Sequence, residues 1–178
     1  LKNRRIGLSQ SGVIQAFNKH GRREMLEWCD KAYDYVQQID KEFSDWLCVP
    51  RSKRTTSIKP SGTVSLLNGS TPGIHYPEAE YYIRRIRFSV GNAILKAIED
   101  AGYHIEKDAY SPNTMVASFP VHEPFFKKGK NEATMWEQLE IAAAYQHYWA
   151  DNSVSVTVTF KGDEAKDIKT ALEMYESR

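Results

Sequence analysis

The sequence predicts an α/β fold with a largely parallel sheet. Helix-like and strand-like segments alternate along the chain, and the connections are long enough for the crossovers that parallel strands need. The clearest strand pattern lies in residues 154–160, where Val154, Val156, Val158 and Phe160 alternate with serine and threonine. Four predicted strands make a thin sheet for this class, which indicates that further strands come from a partner segment.

The first part of the chain is predicted to form two helices and a strand. Residues 11–20 have helical spacing, and Gly21 is a plausible C-cap. A longer helix follows, and Pro50 ends it. Its apolar stripe recurs at steps of four and three and consists of Met25, Cys29, Ala32, Val36, Ile39, Phe43 and Trp46. Residues 54–58 are β-prone and are predicted to deliver a strand into Pro60.

The middle of the chain is predicted to contain two strands that flank a helix. Residues 81–88 interleave β-branched and aromatic side chains with three arginines, so each face of this strand mixes guanidinium groups with apolar surface. Residues 92–101 have helical spacing and are stopped by Gly102. Residues 114–119 are predicted to be a strand that Pro120 closes.

The last part of the chain begins with a predicted surface loop at residues 123–130. Residues 132–149 contain strong helix formers, and the polar residues 151–153 break that helix. The alternating strand comes next, and Asp163 is predicted to cap a final helix through Tyr175.

Composition and charge narrow the class of protein. The chain has 178 residues, of which 41% are hydrophobic and 26% charged, values typical of one soluble domain with a real core. The 24 basic and 23 acidic residues leave a net charge of +1, which offers no electrostatic basis for nonspecific nucleic-acid or membrane binding. Because no apolar run approaches the roughly 18 residues of a membrane span and no secretory signal is visible, a cytoplasmic location is predicted.

Neither the cysteines nor the five histidines show metal-ligand spacing, so no metal site is predicted. Cys29 and Cys48 are too few for a disulfide framework and are expected to be reduced. Cys29 lies within an apolar helical stripe, so a buried core residue is the favoured interpretation. His75 lies beside a glycine-rich loop and is interpreted as a structural loop histidine.

The most informative segment is the loop at residues 59–73, K-P-S-G-T-V-S-L-L-N-G-S-T-P-G. Its consecutive small and hydroxylated residues offer amides and hydroxyls that suit phosphate oxygens. It matches neither a P-loop nor a dinucleotide fingerprint, and on composition alone a plain connector is an equally good interpretation. Arg84, Arg85 and Arg87 could also pair with phosphates, although an internal salt bridge is favoured for at least one of them.

Six strings spread over nearly the whole chain carry a family resemblance. They are N-R-R-I-G at 3–7, K-P-S-G-T-V-S-L-L at 59–67, T-P-G-I-H at 71–75, Y-Y-I-R-R-I-R-F at 81–88, Y-S-P-N-T-M-V at 110–116 and Y-W-A-D-N-S-V-S at 148–155. In these strings the sequence closely resembles the monomeric adenosylcobalamin-dependent ribonucleoside-triphosphate reductases, which are class II ribonucleotide reductases.

The resemblance implies that residues 1–178 are a single segment of the catalytic domain, a section of a ten-stranded α/β barrel whose flanking parts lie elsewhere. It implies a substrate-phosphate loop formed by Pro60, Ser61, Gly62, Thr63, Val64 and Ser65. It also implies cobalamin contacts in the second half of the chain, for which the candidates are Ser111, Pro112, Asn113, Asp151 and Asn152. For residues 151–153 the alternative role is structural, because polar side chains at a strand entrance often complete the turn.

The activity implied by the resemblance is reduction of ribonucleoside triphosphates to 2′-deoxyribonucleoside triphosphates for DNA synthesis. In the family this is a thiyl radical reaction initiated by adenosylcobalamin, with a dithiol reductant such as thioredoxin. The thiyl cysteine and a carboxylate belong to a Cys-Gly-Glu string, and the reducing cysteine pair lies near the C-terminus. Cys29 and Cys48 match neither context, so no catalytic residue is assigned here and the isolated chain is expected to be inactive.

Two other functions stay open at this stage. The first is a noncatalytic nucleotide- or phosphate-binding module derived from the same barrel. The second is an RNA-binding domain that uses the strand at 81–88, which has aromatic and basic residues but lacks support from the overall charge.

Overall fold

The computed structural model describes residues 4–62 and 64–176. Its elements form two units, of which the second is Ala79–His122 and the first is the rest of the described chain. In chain order the elements are β1 (Arg5–Leu8), α1 (Val13–His20), α2 (Arg22–Trp46), β2 (Arg54–Thr56), α3 (Val64–Leu67), β3 (Tyr81–Ser89), α4 (Ile94–Asp100), β4 (His104–Lys107), β5 (Thr114–His122), α5 (Met135–Tyr148) and α6 (Ile168–Tyr175). The coarse α/β prediction is therefore confirmed.

The first unit packs helices against a two-stranded parallel sheet. β1 pairs with β2, and an isolated parallel bridge joins Ile58 to Val154 just beyond β2. The longest helix, α2, contacts α1, α5 and β2. The buried core between these elements consists of Val13, Ile14, Cys29, Ile58, Ile74, Ile141, Tyr145, Trp149 and Ala150. Burial of each large apolar side chain contributes about 1.5–3 kcal/mol to the hydrophobic driving force.

Helix α5 begins with a capping box. The Thr134 hydroxyl accepts from the Glu137 N–H at 3.2 Å, and the Glu137 carboxylate accepts from the Thr134 N–H at 2.9 Å. These reciprocal bonds satisfy two donors at the start of the helix. The predicted helix at 132–149 is thus confirmed, with its first turn set by a threonine and a glutamate three residues apart.

A carboxylate fixes the chain after α5 to β2. Asp151 accepts hydrogen bonds at 3.0 Å from the N–H groups of Thr55 and Thr56 and from the Thr55 hydroxyl. Both threonines are fully buried. Burial acts to raise the pKa of Asp151, but hydrogen bonds from the backbones of Thr56 and Thr55 outweigh it and hold the pKa below its usual value. The ionised form of Asp151 is therefore the one that stabilises the fold.

The second unit is an antiparallel sheet in the order β3-β5-β4 with the short helix α4. β3 and β5 pair over nine residues each, from Tyr81 opposite His122 to Ser89 opposite Thr114. The predicted strand at 81–88 and the helix stopped by Gly102 are confirmed, and Gly102 has the left-handed φ of +81° that favours glycine.

The prediction of a largely parallel sheet is wrong for the described residues, because the three-stranded sheet is antiparallel and only the two-stranded one is parallel. β1 and β4 were not predicted. Strand β5 also continues through Pro120 to His122. Since β4 pairs only with residues 115–118, position 120 has β3 alone as its neighbour, where a missing N–H is tolerated. The ten-stranded barrel and the single-segment domain stay predictions.

The alternating residues 154–160 do not form a strand, apart from the single bridge at Val154. Beyond that bridge, the Gln138 side chain pairs with the Thr159 backbone, accepting from its N–H at 3.0 Å and donating to its carbonyl at 2.9 Å. Alternation creates a face that could join a sheet, but a strand also needs a neighbouring strand with which to pair. Asp163 does not cap the last helix, which begins at Ile168 without a side-chain cap.

The described helices include none that is both long and apolar enough to cross a membrane. Phe43 and Trp46, which the helical stripe placed on the buried face of α2, are at least half exposed. Cys29 matches its predicted role, with 1% of its surface exposed.

The two cysteines should differ in reactivity. Burial raises the pKa of the Cys29 thiol, against weaker opposing hydrogen bonds with Tyr145 and Gln10, whereas Cys48 is exposed. We expect iodoacetamide to alkylate Cys48 in the native protein and Cys29 only after denaturation, as read by peptide mass mapping. Equal labelling of both under native conditions would contradict the burial of Cys29.

Replacement of Asp151 should destabilise the protein. Asp151→Asn leaves buried Thr55 and Thr56 donors poorly paired, and we expect the free energy of unfolding at pH 7 to fall by roughly 3 kcal/mol. Because the folded pKa is lowered, this contribution is present above the ordinary aspartate value of about 3.9 and is lost as pH falls through the folded value. The gap between variant and wild type in urea unfolding should therefore narrow in acid.

The matched control is Asp163→Asn, at an exposed turn position. We expect its free energy of unfolding to stay within about 0.5 kcal/mol of wild type. If both aspartate variants were equally stable, Asp151 would not be an anchor of the fold.

Candidate functional site

The loop at residues 59–73 belongs to the first unit and follows β2 and the bridged residue Ile58. The Ser61 carbonyl accepts from both the N–H of Ser65 at 3.0 Å and the hydroxyl of Ser65 at 2.7 Å. Ser61 has a left-handed φ of +49°, a conformation that non-glycine residues adopt infrequently. These features make the tight turn that starts α3, and they commit both donors of Ser65 to the loop itself.

The Ser61 hydroxyl joins the beginning of the loop to its end at Gly73. It accepts from the Gly73 N–H at 3.2 Å and lies 2.6 Å from the hydroxyl of Ser11. A serine hydroxyl has one proton and two acceptor positions. When Ser11 donates, both acceptor positions of Ser61 are filled and its proton can be given to an anion.

The second half of the loop, residues 69–73, which we call the returning arm, is held close to its first residues, 59–61. The Thr71 carbonyl accepts from the Gly12 N–H at 2.8 Å, and the Gly73 carbonyl accepts from the Val13 N–H at 3.3 Å. Gly73 has a φ of +51°, and a Cβ there would lie 2.6 Å from the Lys59 carbonyl oxygen. Position 73 therefore requires glycine for both its conformation and its packing.

The Thr71 hydroxyl is buried and has no hydrogen-bond partner within residues 4–62 and 64–176. Buried hydroxyls are nearly always paired, so an unpaired one within this loop is consistent with a site that is completed by a bound molecule or water. Thr63 lies outside the described residues, and its predicted phosphate contact stays a prediction.

His75 has the structural role that the sequence analysis favoured. Its Nε2 accepts from the Thr157 N–H at 3.0 Å, so the ring proton is on Nδ1, which donates to the Pro72 carbonyl at 2.9 Å. The ring thereby ties the end of the loop to the segment that follows α5.

Asp151 and Asn152 lie beside the entrance of the loop. The Asp151 carboxylate is used by β2, and the Asn152 side-chain oxygen accepts from the Ser153 N–H at 2.9 Å. Ile58 donates its N–H to the Ser153 carbonyl at 3.3 Å. These bonds support the structural alternative for residues 151–153, and their cobalamin contact stays a prediction.

Ser111, Pro112 and Asn113 belong to the second unit, in the turn between β4 and β5. The Ser111 hydroxyl accepts from the Thr114 hydroxyl at 2.9 Å, and the Asn113 carbonyl accepts from the Val90 N–H at 2.9 Å. Pro112 and Asn113 are exposed. The cobalamin contact of residues 111–113 stays a prediction.

The arginines of β3 are used within the second unit. Arg85 forms an ion pair with Glu106, and Arg87 forms one with Asp108 at 3.2 Å. The internal salt bridge that the sequence analysis favoured is therefore confirmed for two of the three arginines.

The sequence analysis missed two partners of this loop, Ser11 just before α1 and Gln15 in its first turn. Ser11 pairs with the Ser61 hydroxyl, and the Gln15 side chain bonds to residues 69 and 71. The short polar string S-Q-S-G at residues 9–12 is the signal that could have indicated them.

No protein-family model matches the chain. A probable adenosylcobalamin-dependent ribonucleoside-triphosphate reductase of Dictyostelium discoideum is 44% identical over 177 residues, covering 99% of this chain and 23% of that protein. The adenosylcobalamin-dependent ribonucleoside-triphosphate reductase of Euglena gracilis is 43% identical over 178 residues, covering 99% of this chain and 24% of its own length.

A solved structure is similar as well. The crystal structure of a B12-dependent class II ribonucleotide reductase aligns with a TM-score of 0.87 and 30% identity, over 98% of this chain and 28% of that one. The chain thus spans about a quarter of the length of the relatives it matches. Over nearly all of its length, the chain is homologous to one segment of the adenosylcobalamin-dependent ribonucleoside-triphosphate reductases.

Proposed function

We propose that this chain is part of an enzyme that reduces ribonucleoside triphosphates to 2′-deoxyribonucleoside triphosphates. The observation that carries the proposal is its similarity, over 98–99% of the chain, to reductases of that name and to a class II structure. In this reaction the 2′-hydroxyl leaves as water while a dithiol is oxidised to a disulfide. The proposal includes a reductant such as thioredoxin, a cytoplasmic location and adenosylcobalamin, which supplies the radical chemistry when bound.

Within that enzyme, the loop at residues 60–65 binds the triphosphate of the substrate. Three features support this role. The Ser61 proton is available when Ser11 donates to it, the exposed Lys59 adds a positive charge at the loop entrance, and the Cβ position of Gly62 faces open space. Phosphate oxygens can therefore approach the chain at Gly62.

Each residue of the loop has a distinct part in this proposal. Pro60 and Ser65 shape the turn, since proline restricts the backbone and both donors of Ser65 bond to the Ser61 carbonyl. Ser61 and Thr63 offer hydroxyl donors, while Gly62 and Val64 present backbone to the ligand. The chain's own contribution is thus to bind and orient the substrate, not to break its bonds.

A methyl group at position 62 tests this role without disturbing the fold. Among residues 4–62 and 64–176, nothing lies within 4 Å of the Cβ that Gly62→Ala would add, so the melting temperature of this variant should not change. The same methyl group would obstruct a phosphate at the backbone. We expect the full-length reductase to lose about tenfold or more in triphosphate affinity, with cobalamin affinity unchanged, in equilibrium binding and reduction assays.

Gly162→Ala is the matched control, because its added Cβ also has no neighbour within 4 Å in the described part of the chain and it lies in another turn of the first unit. It should bind and reduce substrate like wild type. Unchanged triphosphate affinity in Gly62→Ala would remove the loop from the substrate site, and absence of ribonucleotide reduction by the full-length protein would refute the activity.

A further inference from the structure

The side chain of Gln15, in the first turn of α1, forms hydrogen bonds with the returning arm of the loop at residues 59–73. Its Oε1 accepts from the Thr71 N–H at 3.2 Å, and its Nε2 donates to the Gly69 carbonyl at 3.1 Å. The same Nε2 donates to the carboxyl group of Glu123 at 2.9 Å. One amide therefore satisfies two backbone groups of the loop and is itself held by a third partner.

The Glu123 carboxyl group determines how Gln15 is oriented. Glu123 is only 3% exposed, although it begins a segment that was predicted to be a surface loop. Its carboxyl oxygen accepts from the NH₂ of Gln15, which turns that NH₂ towards Glu123 and leaves Oε1 for the Thr71 N–H. Buried polar groups with all bonds made in this way specify one conformation.

The residues before Gln15 add three more contacts to the same loop. Ser11 pairs with the Ser61 hydroxyl, and the N–H groups of Gly12 and Val13 donate to the Thr71 and Gly73 carbonyls. Gly12 has a φ of +73°, and a Cβ there would lie 3.0 Å from Gln15 Oε1 and 3.3 Å from Ser70 Cβ. Close approach of this segment to the loop therefore requires glycine at position 12.

We propose that Ser11 and Gln15 are positioning residues for the substrate triphosphate, acting through the loop without touching the ligand. Gln15 holds the returning arm in place, and Ser11 donates to Ser61 so that the Ser61 proton points to a phosphate oxygen. This inference rests on the proposed function and deepens it. Preorganised donors bind an anion more tightly because little ordering remains to be done when the ligand arrives.

Binding measurements on the full-length protein test the inference. We expect Gln15→Ala and Ser11→Ala to weaken ribonucleoside triphosphate binding by roughly tenfold and fivefold, in proportion to the hydrogen bonds lost. KM should rise by similar factors while kcat changes less than about twofold, because these residues do not touch the reacting atoms. Affinity for the parent ribonucleoside, which has no phosphate, should not change.

Exchanging the donor and the acceptor between positions 15 and 123 tests whether Gln15 acts by positioning the loop or only by stabilising the fold. Gln15→Glu places a second carboxyl group against Glu123 and removes the NH₂ donor, so triphosphate affinity should fall. In the double variant Gln15→Glu/Glu123→Gln, the amide at position 123 donates to the carboxyl group at position 15, which still accepts from the Thr71 N–H, so affinity should recover at least in part. Failure of the double variant to recover, with both proteins folded, would overturn the role of Gln15.

Gln138→Ala is the matched control. Gln138 likewise accepts from one backbone N–H and donates to two carbonyls, those of Thr134 and Thr159, in the first unit. Its loss should lower the melting temperature as much as Gln15→Ala does, without altering triphosphate affinity. Equal losses of affinity in the two variants would show that general destabilisation, and not the loop, is responsible.

The outcome also distinguishes this inference from the proposed function. If Gly62→Ala weakens triphosphate binding but Ser11→Ala and Gln15→Ala do not, only the positioning role fails. If the wild-type protein binds no ribonucleoside triphosphate, or if Gly62→Ala has no effect, the substrate-loop proposal fails and this inference fails with it.

Discussion

The carboxylate of Asp151 bonded to β2 is the interaction on which the candidate site depends. It satisfies the backbone of Thr55 and Thr56, while the Thr56 hydroxyl donates to the Trp149 carbonyl at 2.6 Å and the Trp149 indole donates to the Ser57 carbonyl at 3.1 Å. The end of α5 and the end of β2 are thereby joined by charged and neutral hydrogen bonds in a buried setting, where such bonds are strongest. The loop starts from this fixed point.

A loop rich in glycine and serine has a high conformational entropy when free, so its order must come from contacts outside it. Here both ends are anchored by residues distant in sequence. Asp151 fixes the strand that enters the loop, and Ser11 with Gln15 holds the part that returns. If this loop binds the triphosphate as we propose, these anchors leave little ordering to be done when the ligand arrives, a property that favours tight binding.

Local signals in the sequence were sufficient for most helices and for the strand that carries three arginines. Gly21 and Gly102 end their helices because left-handed or otherwise unusual φ values are needed there. Residues 154–160 show the limit of such signals. Their alternating apolar and polar side chains are typical of a strand, but a strand forms only where a second strand is available for pairing. The hydrogen bonds of Asp151 likewise join residues about a hundred positions apart, and no local sequence pattern shows that these residues meet.

The candidate loop combines both situations. Its composition suited a phosphate site and a plain connector equally well, and it could not say which donors would serve a ligand, because hydroxyls bond to any acceptor within reach. In the structure both the N–H and the hydroxyl of Ser65 donate to the Ser61 carbonyl, so the role of Ser65 is to form the turn. The Ser61 hydroxyl can donate its own proton to a ligand only when the Ser11 hydroxyl donates to it. In the proposed phosphate-binding role, the Ser61 proton would therefore depend on a hydroxyl fifty residues earlier, and the proposed site would include Ser11, which lies just before α1.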